Sequence, residues 1–465
     1  MIRLAIPTGD LRAATAALLD ERNVALPDYA AGSRALRFPL PDGLGVARVF
    51  REKDIPVQVA LGQYDLGICG RLWVEELTRQ FPHHDLVLLG ALPFGEQELW
   101  MVSGGDTCAA SVRIASEYPA IAEAVARGMR LPRYRIFGVW GAAAAYPPED
   151  ADLALIAVSA SGDVERAGLR PLSRVFVSSA VLIANRAALA SRDLSPVLGR
   201  LAAAARATPR EQRLALAGSL PLRVTETLSR RLDVVRLALP DGHAQSHTVA
   251  ALEMASVAVE GYARDCAAAR PTLDMPGVEV KVIRPQDMPQ QVAVGHFDVA
   301  VTGRDVLFDH LVQFPSSPVE ELVDLGRSRY GLAAIVKDVP ADNLADAVRW
   351  WREGRGSAPI RIASEFRNIA DHFARERRLG RYSVIPLAGA SEGFVPDEAE
   401  ILIEGIETGS SVRANKLTVL ERFFESTNIV IANKCRPDGA MRGVFDELLE
   451  RLRAGAAPPV AAGGA

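Results

Sequence analysis

Residues 51–71 read REKDIPVQVALGQYDLGICGR, and residues 284–304 read RPQDMPQQVAVGHFDVAVTGR. About half of the aligned positions are identical and most of the rest are like for like. The pair is not isolated. RLAIPTGD from Arg3 returns as RLALPDGH from Arg236, at the same offset of 233 residues as Arg51 and Arg284. Later pairs are offset by 248: RIASEYPAI from Arg113 with RIASEFRNI from Arg361, and FVSSAVLIANR from Phe176 with FESTNIVIANK from Phe424. Ordered pairs of this kind mean one module present twice, each copy roughly 220 residues long, which is a duplicated domain and not a solenoid unit. We expect a first module over 1–222 with its second lobe at about 95–175. The second module is expected over 223–453 with its second lobe at about 327–423, followed by a disordered tail, 454–465, rich in Pro, Gly and Ala.

Within each copy, short apolar runs alternate with helix-length segments. RLAI, YDLGIC, LVLLGAL and VRIA read as strands; TAALLDE, VEELTRQF and IAEAVARG read as helices. The second copy repeats this with FDVAVTG, LAAIVK, IRIAS and ILIEGI. The alternation predicts an α/β fold with mostly parallel sheets, whose ligands sit on the loops beyond the carboxyl ends of strands.

Composition narrows the function classes. A net charge of −4 gives no reason to expect nucleic acid or a membrane surface as partner. Cys69, Cys108, Cys266 and Cys435 are far apart, so neither a disulfide framework nor a zinc knuckle is expected. No apolar run has the length of a membrane span or a signal peptide, and a cytoplasmic protein is expected.

One loop suggests chemistry. ETGSSVRANKL, 407–417, follows the strand-like ILIEGI and opens a helix-like run. Backbone N–H groups at a glycine turn and a helix start can bind phosphate, and Ser and Thr hydroxyls add donors. The same residue types also make ordinary helix caps.

The ordered motifs resemble the catalytic module of ATP phosphoribosyltransferase, the first enzyme of histidine biosynthesis. The family's DIPxxVxxGxxDxGIxGxDVL pattern is met by DMPQQVAVGHFDVAVTGRDVL and, in the first copy, by DIPVQVALGQYDLGICGR; its RIATxYPN pattern is met by RIASEYPA and more loosely by RIASEFRN. Its loop for the 5-phosphate of phosphoribosyl pyrophosphate (PRPP) is met by EGIETGSSVRANKL. The resemblance implies two tandem copies of a two-lobed module like the type II periplasmic binding proteins, with a ligand cleft between lobes. It implies transfer of the phosphoribosyl group of PRPP to N1 of ATP, with Mg²⁺ accompanying both substrates. No covalent nucleophile or protein-only metal site is expected. Carried onto this sequence, the PRPP loop is Glu404, Thr408, Gly409, Ser410, Ser411 and Val412. Glu392 and Glu404 are ribose or Mg²⁺ candidates, and Arg284, Arg304, Arg327, Arg329, Arg361 and His243 are the other anion or ATP candidates. Short forms of the family work with a histidyl-tRNA-synthetase-like regulatory subunit, which is a possible partner here beside a pseudo-dimer within the chain or a homo-oligomer.

The copies are unequal. Where the second has TGSS, the first has SASGD, with Asp163 at a phosphate-loop position. Where the second has Glu392, Arg327 and Arg329, the first has GAAAAY and PFGEQEL. The second copy is therefore expected to bind PRPP and the first to be degenerate. The family's P-K-G-R-L start reads PTGDL and PDGHA here, without its Lys or Arg, which keeps a non-catalytic PRPP-binding or regulatory role open as the alternative. His243 and His247 are four apart, but Ala244 replaces the Glu of an HExxH zinc motif.

Overall fold

The computed structural model describes residues 1–29, 35–159, 162–206, 222–225, 233–389, 391–407 and 409–457. They form two compact units: 1–138 with 146–228 and 387–393, and 139–145 with 229–386 and 394–465. Each unit thus includes seven residues from the other half of the chain, and the two segments are equivalent, 139–145 and 387–393 being 248 residues apart.

The first unit has two large sheets beside a two-stranded pairing of Thr107–Ala109 with Arg223–Thr225. One orders Arg37–Pro39, Gly45–Phe50, Ile2–Pro7, Leu66–Gly70, Ala180–Asn185 and Leu86–Ala91; the other orders Arg170–Ser178, Gln97–Ser103, Leu153–Val158, Val112–Ser116 and Tyr134–Gly138. In the second unit the sheets are Val278–Ile283, Val235–Pro240, Val299–Gly303, Asn428–Asn433, Val319–Asp324, and Tyr382–Pro386, Ile360–Ser364, Ile401–Ile406, Tyr330–Val336, Thr418–Ser426. Apart from the added edge strand Arg37–Pro39, the order is the same. Each sheet has a parallel core of three strands, as the alternation predicts. Strands on either side of the lobe crossings add antiparallel neighbours to that core.

Local chemistry repeats with the sequence. Strands Ile2–Pro7 and Val235–Pro240 are almost wholly buried, so their unpaired edges need partners. Asp65 accepts the Arg3 N–H at 2.8 Å, and Asp298 accepts the Arg236 N–H at 2.9 Å. Tyr29 and Tyr262 donate their hydroxyls to the Pro7 and Pro240 carbonyls, each at 2.5 Å. Each first lobe also grips its second. Glu76 accepts the Ala120 and Ile121 N–H groups, and Asp309 accepts those of Asn368 and Ile369, at 2.8–3.0 Å. The open N-terminus of a second-lobe helix is thereby capped by a first-lobe carboxylate. The helix Ala440–Ala454 buries Phe445, Leu448, Leu449 and Leu452, the face that VFDELLERL predicts. Of the expected tail, 458–465 lie outside the described residues, while the Ala457 N–H donates to the Leu325 carbonyl.

Candidate functional site

In the second unit the strand Ile401–Ile406 ends beside the two lobe crossings and delivers Glu404, then the loop, then the short helix Ser410–Ala414. Gly409 has φ +68°, a left-handed conformation that glycine adopts without strain. A Cβ there would meet the Arg413 guanidinium at 3.2 Å, so Arg413 lies over the turn, and its backbone N–H donates to the Gly409 carbonyl at 3.1 Å. Ser410 opens the helix, and the Val412 carbonyl accepts from the Leu417 N–H. Thr408 lies outside the described residues, as does the side chain of Ser411. Glu404 is half-buried and accepts the Gly405 N–H at 3.2 Å.

The equivalent loop of the first unit differs in its residues. It follows Leu153–Val158, which has Ile156 in place of Glu404, and enters the helix Gly162–Arg166. Gly162 and Asp163 stand at the positions of Ser410 and Ser411, and Asp163 is ion-paired to Arg166. Ser161 lies outside the described residues.

The remaining candidates divide. Arg329 lines a cavity of about 440 Å³ with Tyr330, Ile406, Glu407, Arg422 and Phe424, beside the loop. Its nearest carboxylate is Glu425, at a loose 3.8 Å. His243 and His247 lie on the first turns of the helix His243–Met254, rings 5.3 Å apart. Burial holds the His247 pKa below the usual range, with His243 and Arg327 acting in the same direction and Glu407 opposing them. Asn428 donates to the Ala244 carbonyl of this helix at 3.4 Å, and Gly331 pairs with Ile406 just before the loop, so the helix start and the loop both lie at the lobe crossings of one unit.

Other arginines are already committed. Arg284 pairs with Asp241 at 3.1 Å. Arg304 pairs with Glu321 at 2.6 Å and Asp324 at 2.9 Å. Arg361 pairs with Glu400 at 2.7 Å, and the parallel register sets it at the entering end of its strand, at the opposite end of the sheet from the loop. Arg327 donates to the Gly455 carbonyl and the Met254 sulfur, both at 3.4 Å. Glu392 sits in the turn Ser391–Phe394, with its side chain outside the described residues. That turn's segment folds with the first unit, where the Gly393 carbonyl accepts from Arg37 and the Ala388 N–H donates to Asp54.

Residues 51–203 and 284–454, more than half of the chain, match the family model for ATP phosphoribosyltransferase. The chain belongs to the ATP phosphoribosyltransferase family. An ATP phosphoribosyltransferase of Moorella thermoacetica is 28% identical over 215 residues, covering 43% of this chain and 85% of that protein. One from Chlorobaculum parvum is 32% identical over 209 residues, covering 44% of this chain and 66% of its own length. Among solved structures, the ATP phosphoribosyl transferase (HisG:HisZ) complex from Thermotoga maritima matches at 19% identity and a TM-score of 0.37, covering 48% of this chain and 98% of that one. Each match spans about one copy of the repeat.

The sequence did not single out a buried polar cluster at the lobe crossings of the second unit. The Asp305 carboxylate accepts from the Tyr330 hydroxyl at 2.6 Å and the Ser426 hydroxyl at 2.7 Å, and burial raises its pKa. The first unit has Leu72 and Gln97 where Asp305 and Tyr330 stand. Comparing the copies position by position is the signal that finds it.

Among the described residues no helix is long and apolar enough to cross a membrane.

Proposed function

We propose that the second unit is a phosphoribosyltransferase active site that joins N1 of ATP to C1′ of PRPP. The nitrogen lone pair forms the N1–C1′ bond as the bond from C1′ to the pyrophosphate oxygen breaks, and pyrophosphate leaves with both electrons. The observation that carries this reading is the turn at Gly409, left-handed and opening onto a helix start, where the first unit has Ser161 in place of the glycine. Its N–H groups and the hydroxyls of Thr408, Ser410 and Ser411 would hold the 5-phosphate. Positioning of two polyanions and stabilisation of the departing charge would supply the rate.

Among the described residues no cluster of three or more His, Cys, Asp or Glu could hold a metal. Glu404 is a single half-buried carboxylate, a donor set that suits Mg²⁺ carried in on substrate phosphates. Bound there, Mg²⁺ would neutralise pyrophosphate charge and so ease its departure. The chain's own part is to orient the ribose and the phosphates. We place the protein in the cytoplasm, in histidine biosynthesis, with a histidyl-tRNA-synthetase-like subunit as a possible regulator.

A second reading, a PRPP-binding protein without turnover, is favoured by Asp241, which stands at the family's Lys position and occupies Arg284. Purified protein mixed with ATP, PRPP and Mg²⁺ separates the two. Pyrophosphate release in step with a phosphoribosyl-ATP product supports the transferase. Tight PRPP binding without release supports the binder, and indifference to PRPP ends both readings.

A further inference from the structure

Four of the five arginines that the second unit offers to an anion have other partners: Arg284, Arg304 and Arg361 hold carboxylates, and Arg327 holds a carbonyl and a sulfur. His243, the remaining anion candidate, has no such commitment, and neither has its neighbour His247. Among the described residues neither the His243 nor the His247 ring makes a hydrogen bond or ion pair; they touch one another. Both stand on the first turns of a twelve-residue helix, where its free N–H groups favour negative charge. His243 is exposed and His247 half-buried.

The charged groups around the pair are few. Arg327 comes from the first lobe crossing and Glu407 from the loop of the second lobe, while Asp241, just before the helix, is neutralised by Arg284. On the helix itself, Glu253 is paired with Arg264. The helix packs on strands Val235–Pro240, Val299–Gly303 and Asn428–Asn433 and on the helix Ala440–Ala454. Of the charged residues on those elements, Arg236 lies under the Phe297 ring, and Arg442, Arg451 and Arg453 are paired with Asp446, Glu447 and Glu450. In the first unit the position of His243 is Asp10.

We infer that His243 and His247 form a diphosphate-recognising element, at the same lobe crossings as the Gly409 loop, that tightens on its ligand when the imidazoles are protonated. The inference rests on the sugar-phosphate reading of that loop: the loop would take the 5-phosphate of PRPP, and the histidines the diphosphate at C1′. Bringing a dianion beside two imidazoles favours their charged form, so binding takes up protons. A histidine pair in this role makes affinity fall as pH rises through the imidazole range, which arginine in the same place would not do.

The test is calorimetric titration of the full chain and of the His243→Gln/His247→Gln variant at about pH 6 and about pH 8, on either side of the imidazole range. The probes are Mg²⁺-PRPP, ribose 5-phosphate and inorganic pyrophosphate. Diphosphate itself titrates in this range, so the decisive quantity is the difference between parent and variant. We expect the variant to lose about tenfold or more in PRPP and pyrophosphate affinity at the lower pH and much less at the higher. Ribose 5-phosphate should bind both proteins alike, which also shows that the variant is folded. Equal PRPP affinity for parent and variant at the lower pH, with ribose 5-phosphate still bound, overturns the histidine role and leaves the loop reading intact. A parent that binds pyrophosphate through the histidines but ignores ribose 5-phosphate keeps the pair and ends the loop reading.

Discussion

The two units share a scaffold and differ at its working edge. Where backbone groups would be left buried and unpaired, both copies answer in the same way: Asp65 and Asp298 hold the first strand, Tyr29 and Tyr262 hold its last carbonyl, and Glu76 and Asp309 cap a second-lobe helix. Where a ligand anion would arrive, they part. The second unit has Glu404, left-handed Gly409, His243 and Arg329; at the matching positions the first has Ile156, Ser161, Asp10 and Glu96. An unpaired buried amide costs stability wherever it occurs, so those partners persist in both halves. Charge facing a cleft costs little in stability and matters only where a ligand binds. The contrast yields its largest prediction at the phosphate loop. Ser411→Asp gives the second unit the carboxylate that the first already carries, and turnover should fall by about 10³ or more. Asp163→Ser, the reverse exchange, should leave it unchanged. If instead Asp163→Ser alters turnover and Ser411→Asp does not, the active unit is the first.

The lobe crossings give the next largest effect. Asp305 is fully buried and is held by two hydroxyls, whereas Leu72 fills the same position in the first unit. Asp305→Leu copies the first unit's residue but strands the Tyr330 and Ser426 hydroxyls, at a cost of about 3 kcal/mol. Adding Tyr330→Phe removes one stranded hydroxyl and should restore part of that loss, while Ser426 is kept because its hydroxyl accepts the backbone N–H of residue 305 at 3.1 Å. Urea denaturation of the single and double variants checks the ordering. A double variant less stable than Asp305→Leu would mean that the two units differ here by packing and not by hydrogen bonding.

Much of this was legible beforehand, and the reason is the duplication. Two copies of each strand, such as YDLGIC and FDVAVTG, separate what packing demands from what one copy does alone. The Gly409 loop was legible because a strand, a small-residue turn and a helix start lie in one stretch of chain. What sequence could not give was commitment. Arg284, Arg304 and Arg361 read as anion or ATP candidates, yet each found a carboxylate supplied by folding: Asp241 from an earlier strand end, Glu321 and Asp324 from the next strand along the chain, and Glu400 from beyond the helix Arg367–Glu376. Glu392 and Glu404 look like partners in sequence, but their segments fold with different units. An arginine's partner is set by which loop ends lie beside it, and that depends on sheet order, which no local pattern carries.

The smallest effect sharpens the comparison most directly, because it concerns a group that only the first unit has. Glu52 stands where the second unit has Pro285. It is half-buried, and a Cβ on Gly70 would lie 2.8 Å from its carboxylate oxygen. Burial pushes its pKa up from the usual 4.5 to about 7, the Gly70 N–H opposing and Asp10 adding to the rise. The sign of the effect on stability follows from proton counts. Below the unfolded value both states hold the proton and nothing is lost. As pH rises to about 7 the unfolded chain releases it first, so the folded state binds more protons and stability falls. Above that the loss is complete; discounted for partial exposure, it comes to about 1–2 kcal/mol. Glu52→Gln keeps the shape and removes the ionisation. The variant should match the parent at or below about pH 4.5 and exceed it at about pH 8, with the difference growing between the two when followed by urea denaturation. The same measurement bears on function, because surroundings that keep a carboxyl protonated, with Asp10 adding to the rise, also disfavour the charge of a phosphate. A Glu52→Gln protein whose stability tracks the parent at every pH would show that the first unit's carboxylates are solvated, and would remove one physical reason for assigning the anion site to the second unit.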